Sequence, residues 1–363
     1  MPLLFSPVSI GSMNFQNRVV MAPMTRSRAT ADNLPNTLMA EYYAQRATAG
    51  LIVTEGTSPS PNGLGYPRIP GIFSLAQVIA WKPVTEEVHR KGAKIFMQLM
   101  HCGRVGHPLN LPPGARLLGP SAVAAAGEIY TDKGGLQPFP VPEAMTLEDI
   151  RTTMAEFATA ATSAVAAGFD GVELHAANGY LIEQFIRPNS NLRSDGYGGI
   201  IENRSRFLFE VLEALIGAIG RERVGIRLSP FGVFNDMPLY KEMEDEYIWL
   251  AGQLDAAAPS YVHLVDHSAM GAPAVPDSIR KSFRRAFTGI LILSGGYDAL
   301  RAEKDLVAEH CDLVAFGRPF IANPDLLKRW QSGMPLNEPD MTTFYTPGPK
   351  GYTDYPFLKE GNG

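Results

Sequence analysis

The stretch Gly171-Val172-Glu173-Leu174-His175-Ala176-Ala177-Asn178-Gly179-Tyr180 decides the fold. Its first four residues read as a short strand, and it follows residues 147–167, a long stretch of helical periodicity. It then breaks into a polar turn at Asn178-Gly179. The same unit recurs along the chain. Strand candidates stand at 18–22, 51–54, 94–99, 171–174, 224–228, 261–264, 290–293 and 313–315. Helical stretches occupy 38–49, 75–90, 147–167, 202–219, 245–256, 277–286, 299–309 and 324–331. Strands that alternate with helices imply the α/β class, with parallel strands joined by crossover helices. Eight such units favour a closed TIM (β/α)8 barrel over an open doubly wound sheet, which usually has fewer strands and an early nucleotide-binding turn. Neither GxGxxG nor GxxxxGK[ST] occurs.

The whole chain, 1–363, reads as a single barrel domain of ordinary globular composition, 45% hydrophobic and 19% charged. One interval breaks the rhythm. Residues 100–145, after the third strand, are rich in proline and glycine without strong periodicity. An insertion at the C-terminal end of a barrel strand sits where active-site covers are built, so this segment is expected to cap the site; an inert surface loop with a small hairpin is the alternative. The tail, 335–363, is rich in Pro, Gly and Tyr and is expected to wrap the barrel.

A net charge of −5 and the lack of a Lys/Arg run argue against a nucleic-acid partner. The only cysteines, Cys102 and Cys311, form no CxxC pair or Cys/His cluster with metal spacing, so no metal site is expected. No run approaches ~20 apolar residues, and residues 1–15 lack a basic n-region and cleavage site. These features suggest a cytoplasmic enzyme without membrane contact, working as a monomer or homodimer.

In a barrel of this kind the residues just past each strand build the site. Strands seven and eight lead into Gly295-Gly296 and Gly317-Arg318, the place where such barrels commonly bind phosphate. Glycines let backbone N–H groups approach phosphate oxygens, and arginine adds charge-assisted hydrogen bonds. Arg227 lies inside an apolar strand, where a cation needs either a buried acid or a ligand. Gln98 could hydrogen-bond a flat heterocycle through both amide ends, or satisfy backbone. His175, Asn178 and Tyr180 place an imidazole, an amide and a phenol at one strand end. Two donors there could converge on one oxygen while a phenol delivers a proton. A packed histidine, an Asn-Gly turn and a core tyrosine would also account for them.

These residues, in this order, resemble the Old Yellow Enzyme family of flavin-dependent ene reductases. The resemblance rests on Asn17-Arg18-Val19-Val20-Met21-Ala22-Pro23-Met24-Thr25-Arg26, on Glu41-Tyr42-Tyr43-Ala44-Gln45-Arg46-Ala47, and on Gln98-Leu99 with His101 and Gly103-Arg104. It continues through 168–175, Asn178-Gly179-Tyr180-Leu181, Ala315-Phe316-Gly317-Arg318-Pro319 and Gly351-Tyr352-Thr353-Asp354-Tyr355-Pro356, and so covers nearly the whole chain.

The resemblance implies noncovalent FMN, with NAD(P)H as reductant and alkenes activated by carbonyl or nitro groups as acceptors. Thr25 then hydrogen-bonds the flavin, with Pro23, Met24 and Gly56 as backbone neighbours. Gln98 meets the pyrimidine edge, Arg227 stands where the reduced ring gathers negative charge, and Gly295, Gly296, Gly317 and Arg318 take the phosphate. His175 and Asn178 polarise the substrate, Tyr180 protonates it, and Tyr66 and Tyr345 line the mouth. Two departures stand out: Met100 replaces the aromatic residue that many relatives carry, and Asn178 stands where some have a second histidine. Cys102 beside His101 invites a nucleophile reading, although a packing role is simpler. The rival functions are a phosphate-binding barrel lyase or isomerase, which would need a strand-end lysine or a poised carboxylate, and a non-catalytic flavin-binding protein.

Overall fold

The structure is a computed structural model that describes residues 2–359. Eight parallel strands close into a barrel: β1 (Val19–Met21), β2 (Leu51–Val53), β3 (Lys94–Leu99), β4 (Gly171–Ala176), β5 (Val224–Leu228), β6 (Tyr261–Val265), β7 (Leu291–Ser294) and β8 (Leu313–Phe316). Each pairs with its sequence neighbour, and β8 closes the ring against β1 with Val314 opposite Val19. The expected barrel and all eight strand positions are therefore present.

Period-two alternation divides these strands between two apolar environments. Val19, Met21, Ile52, Ile95, Met97, Val172, Leu174, Val224, Ile226 and Val262 face outward into the layer under the helices. Val20, Leu51, Val53, Phe96, Tyr261, Ile292 and Leu313 face inward and fill the lower barrel. Burying each large apolar side chain contributes about 1.5–3 kcal/mol. An N-terminal hairpin, Val8–Ile10 with Met13–Phe15, closes the floor through Ile10 and Phe15. Higher up, the inward positions turn polar at Gln98, Glu173, His175, Arg227, His263 and Ser294, all buried. An apolar plug below and buried polar groups above fix where a ligand can enter.

The helices follow the expected intervals with small corrections. The stretch expected as one helix over 202–219 is two, Ile201–Arg204 and Arg206–Ile219, meeting at Ser205. The helix expected to reach 309 ends at Val307, and Glu309 adopts a left-handed φ of 57° that stops propagation. Two short helices are additional, Leu181–Ile186 after β4 and Arg318–Ala322 after β8.

The excursion over 100–145 forms a two-residue parallel pair, Leu118–Gly119 with Glu143–Ala144, and a hairpin, Glu128–Thr131 with Gly135–Pro138. The tail folds back over the helix Thr37–Gln45. There Arg26, Arg28 and Arg46 donate to tail carbonyls, among them Gly351, Thr343 and Tyr352. The last four residues of the expected tail, 360–363, lie outside the described residues. No helix among the described residues is long and apolar enough to cross a membrane.

Candidate active site

The C-terminal strand ends open into a cavity of about 1160 Å³, with Ala126 to Tyr130 of the excursion and Phe344 and Tyr345 of the tail at its rim. The excursion therefore contributes part of the cavity wall. It is tethered there by Arg104, which donates to Ala124 O at 3.3 Å and Asp236 O at 2.8 Å. Arg68 joins three segments by pairing with Asp132 of the hairpin and donating to Tyr345 O and Ser27 O.

The cavity gathers almost every residue singled out from the sequence. Pro23, Met24, Thr25, Gln98 and Arg227 line its floor and side. Gly295, Gly296, Gly317 and Arg318 line it as well, as do His175, Asn178, Tyr180, Tyr66 and Tyr345. Gly56 is not among the lining residues. A Cβ there would lie 2.5 Å from Met100 Cε, so Gly56 leaves space for Met100, and Met100 lines the cavity in its place.

At the glycine end, after β7 and β8, the chain packs closely against its own backbone. Gly295 has φ 112°, and a Cβ on it would lie 1.9 Å from Asp266 O. Only glycine satisfies that conformation and that contact together. Arg318 is exposed at the same end, with Nη1 donating to Ala269 O at 3.2 Å.

Below lies a polar hub that sequence reasoning missed. Glu173, fully buried on β4, accepts from Gln98 Nε2 at 2.8 Å and Tyr261 OH at 3.2 Å, and His263 Nδ1 stands 2.9 Å away. Burial raises the carboxyl pKa, but His263, Arg227 and Gln98 outweigh it, and Glu173 is held below its ordinary value. It is the anion of the group. Burial chiefly pushes the His263 imidazole down, against the pull of Glu173. The clue in the sequence was a glutamate inside the apolar run of β4, which stands directly opposite Gln98 of β3 in the register. Its inward direction decides its role, and periodicity over four residues does not supply that.

Arg227 lies above this hub. It makes no salt bridge or hydrogen bond among the described residues, and its buried Nε has no partner. Glu173 is close enough to raise its pKa, although burial lowers it more. The buried-salt-bridge alternative is thus not realised as a contact. An uncommitted guanidinium beside glycine-lined space fits an anionic, hydrogen-bond-accepting ligand, and a flavin with its phosphate meets that description.

At the mouth, His175 Nδ1 is also buried without a partner. Burial, then the charge of Arg227, holds the imidazole well below its ordinary pKa, so it is neutral. Tyr180 packs edge-on against it at 4.9 Å, and its OH stands 3.2 Å from Tyr66 OH. Burial raises the Tyr180 phenol well above its ordinary value, so it keeps its proton. Asn178 has φ 61°, in the left-handed region that Asn tolerates best among residues with a Cβ.

Two alternatives lose their support. Burial pushes the Cys102 thiol up, and the residue packs with Leu64, Ile69 and Met100, so it is no nucleophile. No lysine lines the cavity, and Glu173, the carboxylate buried beneath it, is already hydrogen-bonded, so the lyase or isomerase reading loses its support. Among the described residues no His/Cys/Asp/Glu cluster could hold a metal.

Comparison with known proteins agrees with this geometry. The family model described as NADH:flavin oxidoreductase / NADH oxidase matches residues 3–337. A probable flavin mononucleotide-dependent alkene reductase of Leishmania infantum is 42% identical, over 98% of each chain. Morphinone reductase superposes with a TM-score of 0.95 at 46% identity, covering 100% of this chain and 98% of that one. The Old Yellow Enzyme homologue of Zymomonas mobilis gives 0.94 at 42% identity, over 98% and 100%. A match of this extent, on a barrel whose glycine cradle and free arginine suit a flavin phosphate and ring, makes the chain a member of the NADH:flavin oxidoreductase / NADH oxidase family, the Old Yellow Enzyme family of FMN-dependent oxidoreductases.

Proposed function

We propose that this chain uses NAD(P)H to reduce carbon–carbon double bonds conjugated to a carbonyl or nitro group. The observation that carries this reading is the chemistry gathered in one cavity: a free guanidinium, a neutral imidazole with an orphaned nitrogen, an amide and a protonated phenol. Bound FMN supplies the two-electron relay between nicotinamide and alkene. Thr25, Pro23, Met24, Gln98 and Arg227 would hold its ring, and Gly295, Gly296, Gly317 and Arg318 its phosphate. Arg227 would offer positive charge to the reduced ring.

His175 and Asn178 donate hydrogen bonds to the activating oxygen and withdraw electron density from the alkene. Tyr180 holds the proton for the α-carbon, and burial keeps it on the phenol until a carbanion develops. Tyr66 stands behind it at 3.2 Å, and Tyr345 shapes the rim. Met100 lines the same cavity, so its flexible side chain bears on which acceptors fit. Nitroalkenes belong to the class because a nitro oxygen accepts the same two donors.

We take the enzyme to be cytoplasmic and a monomer or homodimer; its two unpaired, buried cysteines suit a reducing compartment. The test is anaerobic consumption of NAD(P)H with cyclohexenone and a nitroalkene, with the saturated product quantified. One saturated product per NAD(P)H is expected. NAD(P)H consumption under nitrogen with no saturated product formed would overturn the reading.

A further inference from the structure

Asn178 has four polar groups, and three of them are already committed. Its N–H donates to Ser229 Oγ at 2.8 Å, and its carbonyl accepts from Asn235 Nδ2 at 2.7 Å. Its side-chain Oδ1 stands 2.6 Å from His267 Nε2. The backbone frame around it is rigid: Ser229 Oγ donates to Glu183 Oε2 at 3.0 Å, Gly179 N–H donates to the same oxygen at 2.7 Å, and Glu183 forms a fully buried pair with Arg187. What the frame leaves free is rotation of the amide itself, which exchanges a donor face for an acceptor face.

We propose that His267 fixes this choice: its Nε2–H donates to Asn178 Oδ1 and turns the Asn178 NH2 group toward the activating oxygen of the substrate. His267 is a positioning residue, and the proposal rests on the reading of Asn178 given above.

The surroundings support this assignment. Burial, then the charge of Arg227, pushes the His267 imidazole down to about 4, so at neutral pH it carries one N–H. The Phe234 ring packs against it at 4.7 Å in an edge contact and holds its plane. Its neighbour Asp266 accepts from Ser268 N–H at 2.8 Å and is occupied by its own turn. The opposite amide orientation would aim Oδ1 at the substrate oxygen and set two acceptors against each other, cancelling the polarisation that His175 provides.

The test compares His267→Leu, His267→Gln, Asn178→Ala and the double variant N178A/H267L in cyclohexenone reduction, with FMN content measured for each. Removing the donor in His267→Leu is expected to lower kcat/KM on the order of 10–100-fold at full FMN content, and the Gln side chain, which can donate again, should recover most of it. In the Asn178→Ala background, His267→Leu should cost nothing further, because the group it orients is gone. A His267→Leu enzyme with normal kcat/KM, a Gln variant as impaired as Leu, or additive losses in the double variant would each overturn the proposal while leaving the role of Asn178 standing. If Asn178→Ala reduces cyclohexenone normally, the underlying reading falls and the proposal with it. One measurement needs no variant: 15N imidazole shifts of the native holoenzyme at pH 7 should show neutral His267 protonated on Nε2, and protonation on Nδ1 alone contradicts the assignment.

Discussion

Two buried arginines show how the same side chain serves two purposes in this molecule. Arg46, in the clasp that holds the tail, donates to the carbonyls of Phe320, Tyr42, Ile321 and Tyr352 and to Gln45 Oε1, at 2.6–3.2 Å. Its guanidinium also lies 3.8 Å from the Tyr42 ring centre. Arg227, at the barrel mouth, donates to nothing among the described residues. Both are charged and almost fully buried. The clasp has its hydrogen bonds complete in the chain alone, while the mouth leaves capacity for a ligand to complete.

The largest effect should come from breaking the clasp. Arg46→Met strands several buried carbonyls and should lower unfolding free energy by ~4 kcal/mol in urea titration, while protein that still folds retains FMN. A loss under ~1 kcal/mol would show that water or relaxation satisfies those carbonyls.

Glu55 lies where the clasp meets the site: its Oε2 accepts from Arg26 N–H at 3.2 Å, next to Thr25. Burial chiefly raises its pKa from 4.5 to about 7. Its folded-state pKa is above the unfolded one, so folding favours the protonated carboxyl, and that contribution is complete below pH 4.5 and lost as pH rises to about 7. Glu55→Gln removes this dependence. The stability of the variant relative to the native chain should therefore rise by up to ~3 kcal/mol between pH 4.5 and 8, measured by urea unfolding across that range. Parallel pH profiles would show that Glu55 ionises normally.

At the mouth, Tyr180→Phe should slow the alkene half-reaction on the order of 100-fold in stopped flow and leave flavin reduction by NAD(P)H near normal. Equal slowing of both half-reactions would make the phenol a packing group.

The legibility of the sequence follows the same division. The barrel could be read because each strand is a short apolar run between helices, and because the strand ends carry unusual residues. The helix Leu181–Ile186 escaped because all six of its residues are buried, which leaves no polar face to mark a period. The floor hairpin escaped because each of its three-residue strands buries only one residue, which leaves no apolar run to read. Arg227 could be suspected from its apolar setting, but whether it meets an acid or a ligand depends on contacts across strands. Glu173 and His267 went unnoticed for that reason too. Each orients an amide that the sequence did reveal: Glu173 holds Gln98 from the adjacent strand, and His267 holds Asn178 from the loop after β6. Gly56 was expected beside the cofactor, and Met100 fills the space between.

The comparison is tested most directly by Arg227→Met, with FMN affinity and apoprotein stability measured on the same preparation. Losing the free guanidinium should weaken FMN about 10–100-fold, the loss of one or two charge-assisted hydrogen bonds, while unfolding free energy of the apoprotein stays within ~1 kcal/mol of the native chain. An apoprotein several kcal/mol less stable that binds FMN as tightly as before would place Arg227 with Arg46, among the residues that hold the chain together, and contradict the account.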